Sequence, residues 1–467
     1  MSPVAIMLLA IVIQGALLAS PVGVEEPAFS DLLRAEVGVA GGLTAAEAAL
    51  SAETTSGDVA ARAAEVALAG AGVAETKVAF FPRLAGGARY TRFSSIEAPQ
   101  LGVWVAAPGA PLGPLSANAQ LVNAVARLPV PLSDYVLRIG PTYAAAMRTE
   151  AAARFTLDAA RRRAAAEAKV IYYEWARARL SRLAEEAAVK QARRHLDDVT
   201  RVLEAGGASR ADVLRVEAQL AGAEQAAVRT AALARALEAQ LRVVMHLSQA
   251  APLAIGEAMG TDLDSSIASR DLAALTAEAE SGRPEVRGFD LAVAALGLQA
   301  RASAGAAAPA LALVGEVTDA NPNPRYLPSP DRFETTWSIT ALLSWSPNDA
   351  AASLAVYRGV RARQTAAAEA RRAVADHVRS EIAVALQAVD SAASAQLTSA
   401  RAARSAEESY RMRRSLFQNG RATSVELTDA ETELTRARLA VISARIDARI
   451  AEVEILRAVG RDVPSRL

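Results

Sequence analysis

The sequence predicts a mainly α-helical fold with a small β part, arranged as two homologous halves in one chain of 467 residues. Two observations support this prediction. Long helix-forming segments are interrupted by glycine-containing turns at residues 206–214 and again at 420–427, and a second helical pattern follows each turn. Each helical pair also follows short segments in which apolar and polar residues alternate, as in β-strands. Because the same order occurs twice, we expect a duplicated structure.

Apolar residues recur after each turn at alternating spacings of three and four, which is the heptad repeat of a coiled coil. The pattern predicts two long helical hairpins, at about 144–247 with its tip at 205–212 and at about 350–459 with its tip at 419–426. The first apolar seam contains Val213, Val216, Leu220, Ala223, Ala227, Leu237, Leu241 and Val244, and the second contains Leu427, Ala430, Leu434, Ala437, Val441, Ala444, Ala448, Ala451, Ile455 and Ala458.

Four short segments are predicted as strands, at about 83–92, 132–140, 310–319 and 335–346, and the stretch 94–131 between the first two has loop composition. The domain organisation is then a first structural repeat at 43–255, an inter-repeat linker at 256–282 and a second repeat at 283–460. Residues 4–18 are almost wholly apolar but are not preceded by Lys or Arg, and we predict a signal peptide at 1–20. The alternatives are an uncleaved anchor or a misassigned start.

Composition excludes several classes of function. The 51 basic and 51 acidic residues balance, so nothing indicates nucleic-acid binding. Cysteine is absent, which excludes disulfides, thiolate metal sites, a cysteine nucleophile and a lipid-modified cysteine. No P-loop, dinucleotide fingerprint or nucleophile elbow is present, so we expect no enzyme and no cofactor. His195, His246 and His377 have no ligand spacing, and we expect structural roles rather than a metal site.

The segment 336–346 shows the clearest alternation in the chain. One face carries Trp337, Ile339, Ala341, Leu343 and Trp345, and the other is mostly hydroxylated. A soluble amphipathic strand is one reading, but two tryptophans about 26 Å apart at 3.3 Å per residue fit better the lipid-facing wall of a membrane barrel. We therefore predict an aromatic girdle at the membrane boundary, formed by Trp337, Trp345, Tyr90 and Tyr135.

Four strands cannot close a barrel, and an open sheet edge in hydrocarbon leaves backbone groups unpaired at a cost of several kcal/mol each. Known bacterial barrels have an even number of strands, from 8 upward, so the chain is expected to assemble as a dimer or trimer. A trimer would give a 12-stranded β-barrel with a water-filled lumen, continued by an α-barrel made from the helical hairpins.

The order and duplication of these features resemble the TolC-like outer-membrane efflux proteins over nearly the whole chain after the leader. The resemblance lies in the Arg-Pro-Glu-Val segment at 283–286, the strand after Pro309, the two glycine turns, and the closing segment 455–460. It implies a homotrimer with a barrel in the outer-membrane lipid of a Gram-negative bacterium and a long periplasmic α-barrel. It also implies docking to a periplasmic adaptor and an inner-membrane pump. The chain departs from the family at 348–350 (Asn-Asp-Ala) and at Glu426.

The hairpin tips are the candidate functional site, because they lie at the far end from the barrel and would form its periplasmic mouth. Asp212, Glu426 and Asp429 are candidate aperture acids, although Asp212 and Glu426 also read as members of helix capping boxes. By resemblance, Asp429 matches a position that narrows the pore, and its first-half equivalent is Arg215. Arg421 is a candidate for holding the mouth shut or a solvated arginine. Gly206, Gly207 and Gly420 are predicted helix C-caps, and by resemblance adaptor contacts.

The sequence thus predicts a passive outer-membrane exit duct of a tripartite efflux or type I secretion system that extends into the periplasm. The alternative is a periplasmic coiled-coil adaptor or scaffold whose strands form a soluble domain.

Overall fold

A computed structural model describes residues 29–94, 120–247, 253–259, 271–326 and 330–461. The predicted signal peptide at 1–20 lies outside the described residues. In the part of the chain that is described, no helix combines the length and the apolarity that crossing a membrane would require.

Within the described residues, the first half starts with helices α1 (Phe29–Glu36), α2 (Ala45–Thr55) and α3 (Gly57–Val78). Strands β1 (Ala85–Arg92) and β2 (Gln120–Val130) follow, and then the long hairpin of α4 (Gly140–Glu204) and α5 (Arg210–Val244). Helix α4 has 65 residues, so it extends for about 98 Å at 1.5 Å per residue.

The second half contains helices α6 (Leu272–Gly282) and α7 (Pro284–Gly305), then strands β3 (Ala310–Asn321) and β4 (Glu334–Ser344). Its hairpin consists of α8 (Pro347–Gln418) and α9 (Ser424–Val459). Helix α6 falls inside the predicted linker at 256–282, where it buries Leu275 and Ala279 against α8 and α9, so this part of the linker belongs to the core of the second half.

The predicted strand at 132–140 is wrong. Residues 132–134 form a helical turn and Tyr135–Ile139 a π-helical turn that continues into α4. The second strand lies earlier, in the stretch interpreted as a loop. The alternation of apolar and polar residues in the segment 134–139 was misleading. Its Tyr135 packs on Phe80, with ring centroids 6.3 Å apart, and so helps to hold the start of α4 against the end of α3. Strand β2 was hidden because Pro129 lies near its end, and proline is usually confined to edges and strand ends.

The four strands form one antiparallel sheet in the order β1-β2-β3-β4. Arg127 pairs with Glu316 across β2 and β3, and Val317 pairs with Trp337 across β3 and β4. Strands β2 and β3 come from different halves of the chain, so their pairing joins the two repeats.

The helical hairpins pack along each other, and α4 also contacts α3, α7 and α9. The largest core cluster surrounds Tyr172 and Trp175 of α4, both fully buried. The two ends of the first repeat meet at a bridge between Leu43 and Ile255. A side chain on Gly256 would place a Cβ 2.2 Å from the Gly42 carbonyl oxygen, so this close approach requires glycine. The described core therefore lies between the long helices and the shorter segments that pack on them.

Candidate functional site

One face of the sheet is apolar over most of its height. The register places residues 86, 88 and 90 of β1 on the same face as alternate residues of the other three strands. Apart from small residues, this face carries Tyr90, Val122, Leu128, Val130, Leu311, Leu313, Val317, Trp337, Ile339 and Leu343. Its polar members, Arg92, Gln120, Asp319, Asn321 and Thr335, all lie near one end, where the Thr335 hydroxyl donates to the Asp319 carboxylate over 3.0 Å. Such a face suits contact with lipid hydrocarbon.

The opposite face carries the charged side chains of the strand interiors. Arg127 Nε donates to Glu316 Oε2 over 2.5 Å, and Thr318 donates to the other oxygen of the same carboxylate over 3.2 Å. Thr336, Ser338, Thr340 and Ser344 of β4 share this face. The sheet is thus amphipathic in the sense that a water-filled barrel requires.

The aromatic residues proposed for the membrane boundary do not all lie on strands. Tyr90 and Trp337 lie on the apolar face and are 60% and 71% exposed, respectively. Trp345 follows the last residue of β4, and its indole Nε1 donates to the Ala307 carbonyl over 3.2 Å. Tyr135 belongs to the π-helical turn, so its assignment to a strand was wrong.

Both hairpin tips have the same backbone construction. Gly206 and Gly420 have positive φ angles of 80° and 70°, which favour glycine where a helix ends and the chain reverses. The amide of Gly207 donates to the carbonyl of Val202 over 2.8 Å, and the amide of Arg421 to that of Leu416 over 2.8 Å. These bonds pair carbonyls that the last helical turn would otherwise leave free.

Capping boxes start the second helix of each hairpin. Ser209 and Asp212 exchange side-chain and backbone hydrogen bonds at the start of α5, and Thr423 and Glu426 do the same at α9. The bond from Ser209 lowers the pKa of Asp212, and the Thr423 amide lowers the pKa of Glu426. Glu426 also accepts from Arg413 of α8 over 2.8 Å. Both carboxylates are therefore engaged within their own hairpin.

Asp429 is exposed on α9, one turn beyond the cap, and forms no ion pair with another described residue. Arg421 is exposed beside the turn glycine. Arg215, the first-half equivalent of Asp429, is also exposed. The structure thus places a solvent-accessible acid near the second tip and a solvent-accessible base near the first.

A buried polar cluster joins the two hairpins close to their tips, and the sequence did not indicate it. His195 Nδ1 of α4 lies 3.0 Å from Glu431 Oε2 of α9, and His195 Nε2 lies 3.1 Å from the Ser424 hydroxyl. Gln219 of α5 donates to the same Glu431 oxygen over 3.1 Å. His195, Ser424 and Glu431 are 2%, 6% and 5% exposed. We name these four residues the hairpin junction.

Apolar layers lie on both sides of the hairpin junction. Val199, Val216, Phe417 and Leu427 form one layer on the side of the tips, and the His195 ring packs edge-on against Phe417 at a centroid distance of 5.4 Å. Ala406, Leu434 and Ala437 form the layer on the other side. A spacing rule could not find this cluster, because its histidine and its carboxylate are 236 residues apart in the chain.

The described residues thus form an amphipathic sheet of the kind found in outer-membrane barrels, followed in each half by a hairpin whose first helix is about 100 Å long. The model of the outer membrane efflux protein family matches residues 44–245 and 275–461. The chain therefore belongs to the outer membrane efflux protein family and is an outer-membrane efflux channel that extends into the periplasm. This membership favours the channel over the adaptor or scaffold alternative.

Solved structures show the same fold. The outer-membrane channel OprN is similar with a TM-score of 0.73 and 17% identity, over 88% of this chain and 89% of that one. CusC gives a TM-score of 0.72 and 15% identity over 89% and 91% of the two chains. The Vibrio cholerae outer membrane protein VceC gives 0.70 and 14% over 89% and 96%. A comparison with curated proteins returned no match.

Proposed function

We propose that three copies of the chain form the exit duct of a tripartite export system, each contributing four strands to a 12-stranded barrel. The observation behind this proposal is the sheet, in which β1 and β4 each have one edge without a strand partner among the described residues. An apolar sheet face belongs in lipid, and there an unpaired edge costs several kcal/mol per backbone group. Pairing β1 of one copy with β4 of the next removes every open edge.

Cysteine cross-linking tests the subunit contact directly, because the chain has no native cysteine. One cysteine in β1 and one in β4, scanned over their exposed edges, are expected to give covalent dimers and trimers on a denaturing gel. The control pair is Asn123→Cys with Ala320→Cys, which lie directly opposite each other within one copy. It is expected to give monomers alone. If every β1–β4 pair also gave only monomers, the proposed assembly would be refuted.

The duct is passive, and the hairpin tips form its periplasmic aperture. Three copies of Asp429 would ring this opening, since Asp212 and Glu426 are engaged in caps and the equivalent position in the first half is Arg215. An acidic ring attracts cations and repels anions. Purified protein in a planar bilayer is expected to conduct. A solitary protein that stays soluble without detergent and does not conduct would contradict the proposal.

The exposed tips are also the proposed contact with a periplasmic adaptor, which would connect the duct to an inner-membrane pump. A photo-crosslinker on Gly207→Cys is expected to capture the adaptor in cells, identified by mass spectrometry. The same probe on Arg363→Cys, an exposed position of α8 near the barrel, is the control. Equal capture from both positions would argue against docking at the tips.

A further inference from the structure

We propose that three copies of Arg89 make the lumen of the barrel selective for anions. This preference is the opposite of the cation preference expected from the acidic aperture. This inference rests on the proposed trimeric barrel. The register places Arg89 on the polar face of the sheet, opposite Asn123 of β2 and in the same row as Ala320 and Glu334. Its neighbour Tyr90 lies on the apolar face, so Arg89 is directed to the lumen.

The other charges of the strands on this face are already neutralised. Arg127 and Glu316 form an ion pair within one copy, at a distance of 2.5 Å. Glu334, at the start of β4, pairs with Arg332 over 2.5 Å. Arg89 is exposed and forms no ion pair with another described residue. Among the described strand residues, each copy therefore adds one uncompensated positive charge to the lumen face, while Arg325 of the β3–β4 connection donates to the Trp337 carbonyl.

The radius of the barrel determines whether three such charges can influence ions in the lumen. Twelve strands about 4.8 Å apart and tilted by about 40° enclose a backbone cylinder of about 12 Å radius. Arginine side chains reach several ångströms inward from that wall. The remaining distance to the axis is shorter than the Debye length of about 10 Å at 0.1 M salt. An ion anywhere in this row of the lumen is therefore within the field of the guanidinium groups.

Reversal potentials in a KCl gradient, measured on the purified trimer in planar bilayers, test the assignment. Asp429→Asn serves as the background, because it removes the acid that would otherwise contribute selectivity in series. There, Arg89→Gln is expected to lower the chloride-to-potassium permeability ratio at least about twofold, while Arg89→Lys retains it. Arg92→Gln, a change of the same type on the opposite face of β1, is the matched control and is expected to have a smaller effect.

The ion pair offers an internal calibration. Arg127→Gln should shift selectivity toward cations because it leaves three carboxylates unpaired, and Glu316→Gln should shift it toward anions. The double variant should return close to the background value. These variants show whether the assay detects a change of charge in the lumen, independently of the result for Arg89.

The outcomes separate the two proposals. If the unaltered protein is not a trimer or does not conduct, the proposed function fails. If it conducts and the Arg127–Glu316 variants shift selectivity while Arg89→Gln matches Arg89→Lys, the role of Arg89 is overturned. If none of the lumen variants changes the ratio, selectivity lies outside the barrel and the inference is again overturned. Gel migration of each trimer verifies assembly, and Arg89→Lys also controls for loss of folding.

Discussion

Removing His195 should loosen the contact between the hairpins close to the periplasmic tips. A carboxylate only accepts hydrogen bonds, so the imidazole donates to Glu431 from Nδ1, and in its neutral form it accepts from the Ser424 hydroxyl at Nε2. His195→Ala removes both bonds and leaves Gln219 as the remaining side-chain partner, among the described residues, of the Glu431 carboxylate, whose residue is only 5% exposed. Hydrogen bonds to charged groups contribute about 1.5–3 kcal/mol, and a buried hydroxyl left unpaired costs about 1–3 kcal/mol.

We therefore expect local opening at the start of α9 to become about 3 kcal/mol easier, which corresponds to roughly 150-fold faster amide exchange. Hydrogen exchange of the purified protein, followed by mass spectrometry over residues 424–431, measures this change. Exchange in peptides around Trp175, in the separate core cluster of α4, should stay unchanged and serves as the internal control.

A double-mutant cycle tests the reasoning behind that magnitude. Glu431→Ala alone should also speed exchange, but His195→Ala combined with Glu431→Ala should cost less than the sum of the two, because the unpaired buried charge is gone. We expect a coupling energy of about 1.5–3 kcal/mol. Effects that add to within about 0.5 kcal/mol would refute direct coupling of the two side chains.

Three further changes have defined outcomes. Asp429→Asn should raise anion permeability or lower cation preference in bilayer recordings, and an unchanged channel would remove this residue from the aperture. Gly420→Ala should destabilise the second tip by about 1 kcal/mol because its φ is 70°, whereas Gly359→Ala in exposed α8 should be neutral or stabilising in thermal unfolding. Both capping carboxylates, Asp212 and Glu426, have lowered pKa values in the folded protein. Their contribution to the stability of the tips is therefore complete above their ordinary pKa values of 3.8 and 4.5 and is lost as the pH falls below them. Amide exchange at both tips should accelerate at that acidic pH, and a rate that does not depend on pH after correction for intrinsic exchange would contradict this.

Local patterns in the sequence were sufficient for the features that depend on local physics. Heptads and glycine turns predicted the long helices, and the Ser209 and Thr423 motifs predicted the capping boxes that the structure contains. Alternation located β1, β3 and β4. It failed at β2, because the segment 120–130 contains Pro129 and follows a proline- and glycine-rich stretch, whereas the nearby segment 132–140 alternates without forming a strand.

Features that depend on distant contacts could not be read in this way. The register that separates Arg89 from Tyr90 is readable from alternation, but the neutralisation of Glu316 by Arg127 depends on how β2 pairs with β3. The hairpin junction is a stronger example, since its histidine looked isolated in sequence and finds its carboxylate only when α9 packs beside α4.

Because the two halves differ, the junction and the aperture of the proposed trimer would each occur three times rather than six. When the two tips are aligned at Gly206 and Gly420, Glu431 corresponds to Glu217, which is exposed, and Asp429 corresponds to Arg215. The shared residues are those that the turn itself requires, because every helical reversal must satisfy the same free amides and carbonyls. Glu431 and Glu217 are the same residue type in different surroundings, whereas Asp429 and Arg215 differ in the sign of their charge. The two halves therefore differ where their hairpins have different neighbours, and variants of the exposed Asp429 should affect transport rather than folding.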